Sequence, residues 1–222
     1  VAKYSVNFME LFSPKFYEPL AHRLRPVSFD EVIGQEKVVD VLKNYIIPLS
    51  LIIYGPPGSG KTTIAKILAQ NWKLDFRNLS AVSTGVKEIK EISHEAEMKG
   101  AIVLFLDEIH RFSSSQQDSL LDVVEKGKII LIGATTENPA FRINRALLSR
   151  CQLFRLGALD ESALLKLYDK CISLLKNLDF SKGALSLLMQ VSGGDARRLF
   201  GIIESIEMNQ NRPSLIEEKY LK

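Results

Sequence analysis

The chain has 222 residues, of which 46% are hydrophobic and 25% are charged. This composition is ordinary for a globular protein, so we expect a sizeable buried core and exclude a largely disordered chain. The formal net charge of +3 is spread along the sequence and does not by itself indicate a nucleic-acid-binding protein. Since no apolar run has the length needed to span a bilayer and no secretory leader is recognisable, we expect a cytoplasmic protein without a membrane partner.

The two cysteines, Cys151 and Cys171, have no neighbouring cysteine or histidine at the spacing of a zinc site. Two widely separated cysteines also do not make the framework of a disulfide-rich domain. We therefore expect two buried free thiols.

The first 20 residues are rich in aromatic side chains, and two prolines interrupt any long helix there. We interpret residues 1–20 as an arm laid on the domain that follows. After Pro26, which favours an extended entry, the pair Asp30 and Glu31 suits the first turn of a short helix. A second helix is predicted over Lys37–Tyr45.

Apolar runs of strand length then alternate with segments of helical periodicity. Runs without polar interruption are typical of parallel strands that helices cover on both faces. The sequence therefore predicts an α/β fold with a doubly wound parallel sheet. The predicted strands are Leu51–Tyr54, Ala101–Leu106, Ile129–Gly133 and Gln152–Leu156, and the predicted helices between them are Thr62–Trp72, Ser115–Glu125 and Asn144–Arg150.

Beyond the last predicted strand the pattern is helical only, with amphipathic segments over Glu161–Leu175, Lys182–Val191 and Ala196–Met208. We find no internal repeat in the sequence. We therefore divide the chain into an α/β domain over residues 1–156 and a small all-helical lid domain over residues 157–222.

A glycine-rich sequence lies between the first predicted strand and the helix after it. It matches the phosphate loop G-x-x-x-x-G-K-[ST], in which backbone N–H groups and a helix N-terminus surround phosphate oxygens. We expect Lys61 to reach the β- and γ-phosphates of ATP, and the Thr62 hydroxyl to ligate Mg²⁺. The predicted ATP-binding residues of this segment are Gly55, Pro56, Pro57, Gly58, Ser59, Gly60, Lys61, Thr62 and Thr63.

Two carboxylates follow the second predicted strand, at the sheet edge where ligands of open α/β folds bind. Asp107 can hold Mg²⁺ directly or through water, and Glu108 can act as the general base that polarises the attacking water. Adjacent acids at a strand end are more often a solvated corner, but the apolar strand and the phosphate loop before them favour the catalytic interpretation. Thr136, beyond the third strand, is a weaker candidate for holding the water or sensing the γ-phosphate.

The motifs GPPGSGKT, LFLDEIH, IGATTEN, LLSRC and GGDARR, in this order, resemble those of the clamp-loader branch of AAA+ ATPases. Within that branch, the chain resembles the replication-associated recombination protein family, called RarA or MgsA in bacteria, whose eukaryotic relative is the Werner-helicase-interacting ATPase. The segments LAHRLRP, DEVIGQE, LSAVSTGVKEI, DEIHRFSSSQQD and GATTENPAF carry this closer likeness, which covers roughly residues 17–210.

The resemblance implies roles for further residues. Thr136 resembles sensor 1, Arg150 resembles an arginine finger that reaches the ATP of a neighbouring subunit, and Arg197 resembles sensor 2 on the helical lid. Arginines at such positions stabilise charge that develops on the transferred phosphoryl group. Without the resemblance, we would favour a surface arginine at either position. The residues that resemble the adenine-side box are Arg25, Pro26, Val32 and Ile33.

The same resemblance implies a DNA-dependent ATPase of replication-fork maintenance, recombination and repair. The partners it implies are single-stranded or forked DNA and further copies of the chain, assembled through a C-terminal region that follows this sequence. A single-strand-binding protein or a sliding clamp is a further partner of this kind. The resemblance also implies a location at the nucleoid.

Other functions remain open at this stage. A clamp-loader subunit or a Holliday-junction branch-migration motor would use the same catalytic residues and differ in its partner. A nucleotide-switched scaffold would bind ATP without hydrolysing it, but would need neither Glu108 nor Arg150. Lys87, Lys90 and Lys99 could face DNA phosphates, although a solvated helix face is the commoner arrangement.

Overall fold

The computed structural model describes residues 17–175, 178–209 and 211–221. Residues 1–16, which make up most of the predicted N-terminal arm, lie outside the described residues. Within the described ranges, none of the helices is both long and apolar enough to cross a membrane.

The central sheet comprises β1 (Leu51–Tyr54), β2 (Asp75–Ser80), β3 (Ile102–Asp107), β4 (Ile129–Thr135) and β5 (Gln152–Arg155). All five strands are parallel, and their order across the sheet is β2-β3-β4-β1-β5. This order puts β1 between β4 and β5. The parallel sheet with helices on both faces confirms the doubly wound α/β fold that the sequence predicts.

The helices of this part of the described chain are α1 (Leu20–Arg23), α2 (Glu36–Leu42), α3 (Lys61–Asn71), α4 (Val86–Lys99), α5 (Ser114–Glu125), α6 (Pro139–Arg142) and α7 (Arg145–Leu148). Periodicity located α2, α3, α5 and α7 to within a few residues of their ends. The sequence analysis gave no bounds for α1, α4 or α6.

The strands bury alternate side chains on the two faces of the sheet, as the two-residue period of a strand dictates. Leu104 and Leu106 of β3 pack into the core that α4 and α5 cover. Val103 and Phe105 of the same strand pack into the core on the other face, against α3. Both faces of the sheet are therefore buried, which explains why these strands appear in the sequence as uninterrupted apolar runs.

The sequence analysis missed β2, because this edge strand carries no apolar run. None of its six residues is fully buried. Phe76 of β2 stacks on the buried Phe105 of β3 with ring centroids 6.0 Å apart. A strand with one open edge and one partly solvated face tolerates the polar sequence DFRNLS.

The chain continues into a helical unit of α8 (Glu161–Ile172), α9 (Lys182–Ser192) and α10 (Ala196–Glu207). The expectation that this part contains helices only was wrong in one detail. Two short strands, β6 (Asp179–Phe180) and β7 (Leu215–Ile216), form a parallel pair there. The three helices and this pair enclose a hydrophobic core of their own.

The short helix α1 contacts the helical unit, chiefly α10. Leu20 and Leu24 are buried in the core of the helical unit. The backbone N–H of Leu20 and the hydroxyl of Tyr17 both donate to Oε1 of Glu204 on α10, at 2.6 and 2.8 Å. The described end of the predicted arm, residues 17–20, is therefore tied to the helical unit as well as preceding the α/β domain.

Candidate active site

The phosphate loop joins β1 to α3, and its backbone depends on glycine. Gly55, Gly58 and Gly60 have φ angles of 152°, 67° and 101°, a region that side chains disfavour. Gly60 is the N-cap of α3, so the helix N-terminus opens into the loop. The N–H of Gly55 donates to the carbonyl oxygen of Thr135 at 3.1 Å, which fixes the loop to the end of β4.

Lys61 folds back over the loop from the first turn of α3. Only 8% of the residue is exposed, and its Nζ donates to the carbonyl oxygens of Gly55 and Pro56, both at 2.9 Å. Burial lowers the pKa of Lys61, and the carboxylates of Asp107 and Glu108 oppose this shift. The lysine and both predicted acids therefore lie close enough to interact electrostatically.

A cleft between the α/β domain and the helical unit adjoins the loop. Residues predicted for the adenine side, the phosphate loop and the lid line it together, so segments far apart in the sequence share one concave site. The predicted residues that line it are Arg25, Pro26, Val32, Ile33, Gly58, Ser59, Gly60, Thr63 and Arg197.

Two arginines give this cleft positive charge. Burial lowers the pKa of Arg25, and the nearby guanidinium of Arg197 lowers it further. Among the described residues, neither side chain has a hydrogen-bond or ion-pair partner. Two unpaired guanidinium groups in one cleft are an arrangement that an anionic ligand stabilises.

Gln35 holds the loop to the linker between the two units. The side chain is 6% exposed, and its Nε2 donates to the carbonyl oxygens of Ser59 at 3.3 Å and Gly157 at 2.9 Å. Its Oε1 accepts from the N–H of Gly157 at 3.3 Å. The sequence analysis did not single out Gln35, and its only signal was its place in the segment DEVIGQE.

The acidic tip of β3 shows two signs of a functional site. Glu108 has a φ of 54°, a left-handed conformation that costs a non-glycine residue about 1–3 kcal/mol. Its Oε2 is buried and, among the described residues, has no hydrogen-bond partner. Asp107 Oδ1 accepts from the N–H of Glu108 at 3.1 Å, which holds the Asp107 carboxylate against the backbone of the turn.

The tip of β4 lies beside that of β3. Thr135, the last residue of β4, is fully buried, and its Oγ1 lies 2.9 Å from His110 Nδ1. Thr136 is exposed one residue beyond the strand. Within the described chain, the structure thus brings Thr135 into the polar cluster and gives Thr136 no contact with it.

Arg150 lies at the end of the sheet opposite the phosphate loop. It precedes β5, whose residue Gln152 pairs with Leu51 at the start of β1, whereas the loop follows the end of β1. Its guanidinium donates to the carbonyl oxygen of Ala146 at 2.8 Å and forms an ion pair with Glu125. The structure does not bring Arg150 to the site of its own chain, which accords with an arginine that serves a neighbouring copy.

Comparisons with known proteins agree with this fold and site. Residues 51–156 match the family described as "ATPase family associated with various cellular activities (AAA)". The RuvB Holliday junction branch migration motor of Thermotoga maritima is 28% identical, with a TM-score of 0.68 over 82% of this chain and 65% of that one. The fold and the site define an ATPase domain of the AAA+ class.

Two relatives identify the family. The ATPase WRNIP1 of Dictyostelium discoideum is 38% identical over 98% of this chain and 27% of its own length. Replication-associated recombination protein A of Coxiella burnetii is 40% identical over 88% of this chain and 48% of its own length. The chain belongs to the family of replication-associated recombination protein A and WRNIP1. It spans half the length of these relatives or less.

Proposed function

We propose that this chain is the motor part of a DNA-dependent ATPase that acts in replication-fork maintenance, recombination and repair. The observation that carries the proposal is a loop of positive-φ glycines that holds Lys61 within the electrostatic reach of Asp107 and Glu108. The DNA context is supported by the name of a relative, a replication-associated recombination protein.

In this proposal, ATP binds between the loop and the helical unit. The N–H groups of the loop and the Nζ of Lys61 surround the phosphates. Arg25 approaches from the adenine side and Arg197 from the first turn of α10, since both line the cleft. Both guanidinium groups then gain an anionic partner, so binding draws the helical unit towards the α/β domain.

Glu108 accepts a proton from the attacking water. The Glu108 side chain is 32% exposed, so a water molecule can reach the carboxylate, whose Oε2 has no hydrogen-bond partner among the described residues. Thr62 and Asp107 would hold Mg²⁺, which when bound neutralises charge on the phosphate oxygens. The oxygens at the tip of β3 suit that ion, because Mg²⁺ prefers oxygen ligands.

Two residues act on the far side of the γ-phosphate in this proposal. Thr136 is exposed just beyond β4 and is free to donate a hydrogen bond to bound nucleotide or water. Arg150 completes the site of a neighbouring copy, because it lies far from the loop of its own chain. Hydrolysis then requires an assembly of several copies.

The first test measures ATP hydrolysis with Mg²⁺ in the full-length protein. We expect Glu108→Gln to retain ATP binding and to lose about 10²–10⁴-fold in turnover. We expect Lys61→Ala to lose both binding and turnover. Glu91→Gln, on the exposed side of α4, is the matched control and should hydrolyse ATP normally. Ordinary turnover by the Glu108 variant contradicts the proposed chemistry.

The second test measures turnover as single-stranded, forked and duplex DNA are titrated at one stated salt concentration. Stimulation by single-stranded or forked DNA supports the proposal, and equal rates with and without DNA contradict its DNA-dependent part. The structure offers little support for a DNA contact on α4. Lys87 pairs with Glu91 at 3.8 Å and Lys99 with Glu95 at 2.8 Å, as on a solvated helix face.

The likeness to a branch migration motor supports a second candidate function, motion along a four-way junction. A clamp-loader subunit would share the same site. ATP-driven displacement of a labelled four-way junction favours the motor, and ATP-dependent loading of a sliding clamp onto primed DNA favours the clamp loader. Absence of both activities, with stimulation by forked DNA, favours fork maintenance.

A further inference from the structure

His110 lies at the centre of the polar cluster but has no place in the chemistry described above. It lies in the short turn Ile109–Arg111 that directly follows Glu108. Its side chain is 8% exposed, so the imidazole is almost entirely withdrawn from water. A histidine that is buried to this degree normally has a hydrogen-bond partner at each ring nitrogen.

Both ring nitrogens face oxygen atoms on the tip of β4. Nδ1 lies 2.9 Å from Thr135 Oγ1, and Nε2 lies 3.3 Å from Glu137 Oε1. Thr135 Oγ1 in turn accepts from the N–H of Glu137 at 3.0 Å, which closes a small network. The imidazole is therefore held from two sides and has little freedom to rotate.

The fixed ring edge faces the carboxylate of Glu108. Nδ1 of His110 lies 3.2 Å from Glu108 Oε2. This approach is not a well-aligned hydrogen bond, since that oxygen has no hydrogen-bond partner among the described residues. Of its two neighbouring oxygens, Nδ1 forms its hydrogen bond with Thr135 Oγ1, which is the nearer one. The lone pairs of Glu108 Oε2 therefore stay unused. The imidazole ring still limits where the Glu108 carboxylate can lie.

We propose that His110 is the positioning residue of Glu108. Through its contact with Thr135, it holds the Glu108 carboxylate at the end of β3 in one orientation relative to the end of β4. This inference rests on the proposed function, in which Glu108 accepts the proton of the attacking water. A general base that is held in one orientation avoids the loss of rate that misplacement causes.

The backbone at Glu108 points to the same role. Its left-handed φ of 54° turns the chain sharply after Asp107, and the turn brings His110 back against the carboxylate two residues earlier. A strained conformation of this kind persists only where surrounding contacts maintain it. A histidine that only filled space would not need an oxygen atom close to each of its ring nitrogens.

Three substitutions of His110 test the proposal, because each keeps a different contact. The amide nitrogen of Asn overlays the position of Nδ1, so His110→Asn retains the contact with Thr135 and faces Glu108. The amide nitrogen of Gln overlays the position of Nε2, so His110→Gln retains only the contact with Glu137. His110→Ala retains neither.

We expect kcat for ATP hydrolysis to fall about 10- to 100-fold in the Ala and Gln variants, as is typical when a supporting contact of an active group is lost. We expect the Asn variant to stay within about threefold of the wild type. The KM for ATP and the Kd of ATP should change by less than about twofold in all three, because His110 lies outside the cleft that binds nucleotide. A purely structural role would instead lower stability and disturb binding and kcat together.

The outcomes separate this inference from the proposed function. If Glu108→Gln hydrolyses ATP normally, the proposed function fails. If Glu108→Gln is inactive while His110→Ala and His110→Gln turn over at the wild-type rate, the positioning role alone is overturned. Should the Ala variant not fold, the Asn and Gln variants decide: equal kcat values in those two overturn the role, and a higher kcat in Asn supports it.

Thr135→Val gives an independent measurement. It removes the hydroxyl that contacts His110 while nearly preserving the shape of the side chain. We expect a loss of kcat in the same direction, with an unchanged Kd for ATP. Wild-type kcat in this variant contradicts the network through which His110 is held.

Discussion

The carboxylate of Asp195 lies against Gly58, so closely that a Cβ atom on Gly58 would be 1.7 Å from Asp195 Oδ1. The same oxygen caps α10, because it accepts from the N–H groups of Arg197 at 2.8 Å and Arg198 at 3.2 Å. The N-terminus of α10 therefore contacts the phosphate loop directly. This close approach is possible because glycine has no side chain at position 58.

Gly58→Ala is expected to weaken ATP binding by about tenfold or more, since a small misplacement at a binding site is costly. The new methyl group would also lie 2.9 Å from the Cα of Asp195, so a side-chain rotation cannot relieve the collision and α10 has to move. The loss should appear as a higher Kd in a titration with a fluorescent ATP analogue.

Gly127→Ala separates this collision from backbone strain. Gly127 has nearly the same φ as Gly58, 65° against 67°, but a Cβ there would meet nothing within 4 Å. The control should lose about 1–2 kcal/mol of stability and bind ATP with wild-type affinity. Equal weakening of ATP binding in both variants would show that the collision with the N-terminus of α10 is not the cause of the weaker binding.

Gln35→Leu is expected to lower the free energy of unfolding by about 1–3 kcal/mol, because it removes the side chain that satisfies buried backbone groups of Ser59 and Gly157. It should also weaken ATP binding, since the loop is no longer fixed to the linker. Urea denaturation and nucleotide titration measure the two effects. Gln70→Leu, on the exposed side of α3, should change neither.

Local signals in the sequence predicted much of this molecule. Apolar runs marked β1, β3 and β4, because those strands are buried on both faces. The glycines and Lys61 marked the phosphate loop, because its conformation is set within a few consecutive residues. The acids at the tip of β3 followed from their place after a buried strand.

The remaining parts depend on contacts between residues that are distant in the sequence. Gln35 meets Gly157 across 122 positions, and no periodicity or motif spacing indicates such a pair. His110 meets Thr135 only because β3 and β4 are neighbours in the sheet. β2 escaped prediction for a different reason, since its edge position permits a polar sequence.

The two cysteines should resist alkylation in the folded protein. Burial raises the pKa of Cys151 to about 12 and that of Cys171 to about 11. At pH 8 the fraction of each cysteine in the reactive thiolate form is then about 10⁻³–10⁻⁴, whereas for an ordinary thiol this fraction is about a quarter. We expect slow reaction with iodoacetamide by mass spectrometry, and full reaction of both thiols in urea. Rapid modification of the folded chain would contradict the burial.

Arg150→Ala is expected to bind ATP normally and to lose about 10³-fold in hydrolysis by the assembled protein. Its ion pair with Glu125 is partly exposed, with 40% and 45% of the two side chains accessible, so the loss of stability should stay below about 1 kcal/mol. Arg145→Ala, which removes an exposed arginine at the start of α7, is the matched control and should retain turnover.

Mixing two inactive variants distinguishes action on a neighbouring copy from action within one chain. Arg150→Ala keeps an intact Glu108, and Glu108→Gln keeps an intact Arg150. In a mixed assembly, some sites then receive Glu108 from one copy and Arg150 from the next, so hydrolysis should reappear. No recovery is possible if Arg150 serves its own chain, because neither variant then contains a complete site. The position of Arg150 at the opposite end of the sheet from the phosphate loop predicts recovery. An unchanged rate in mixtures shown to contain both variants in one assembly would refute that arrangement.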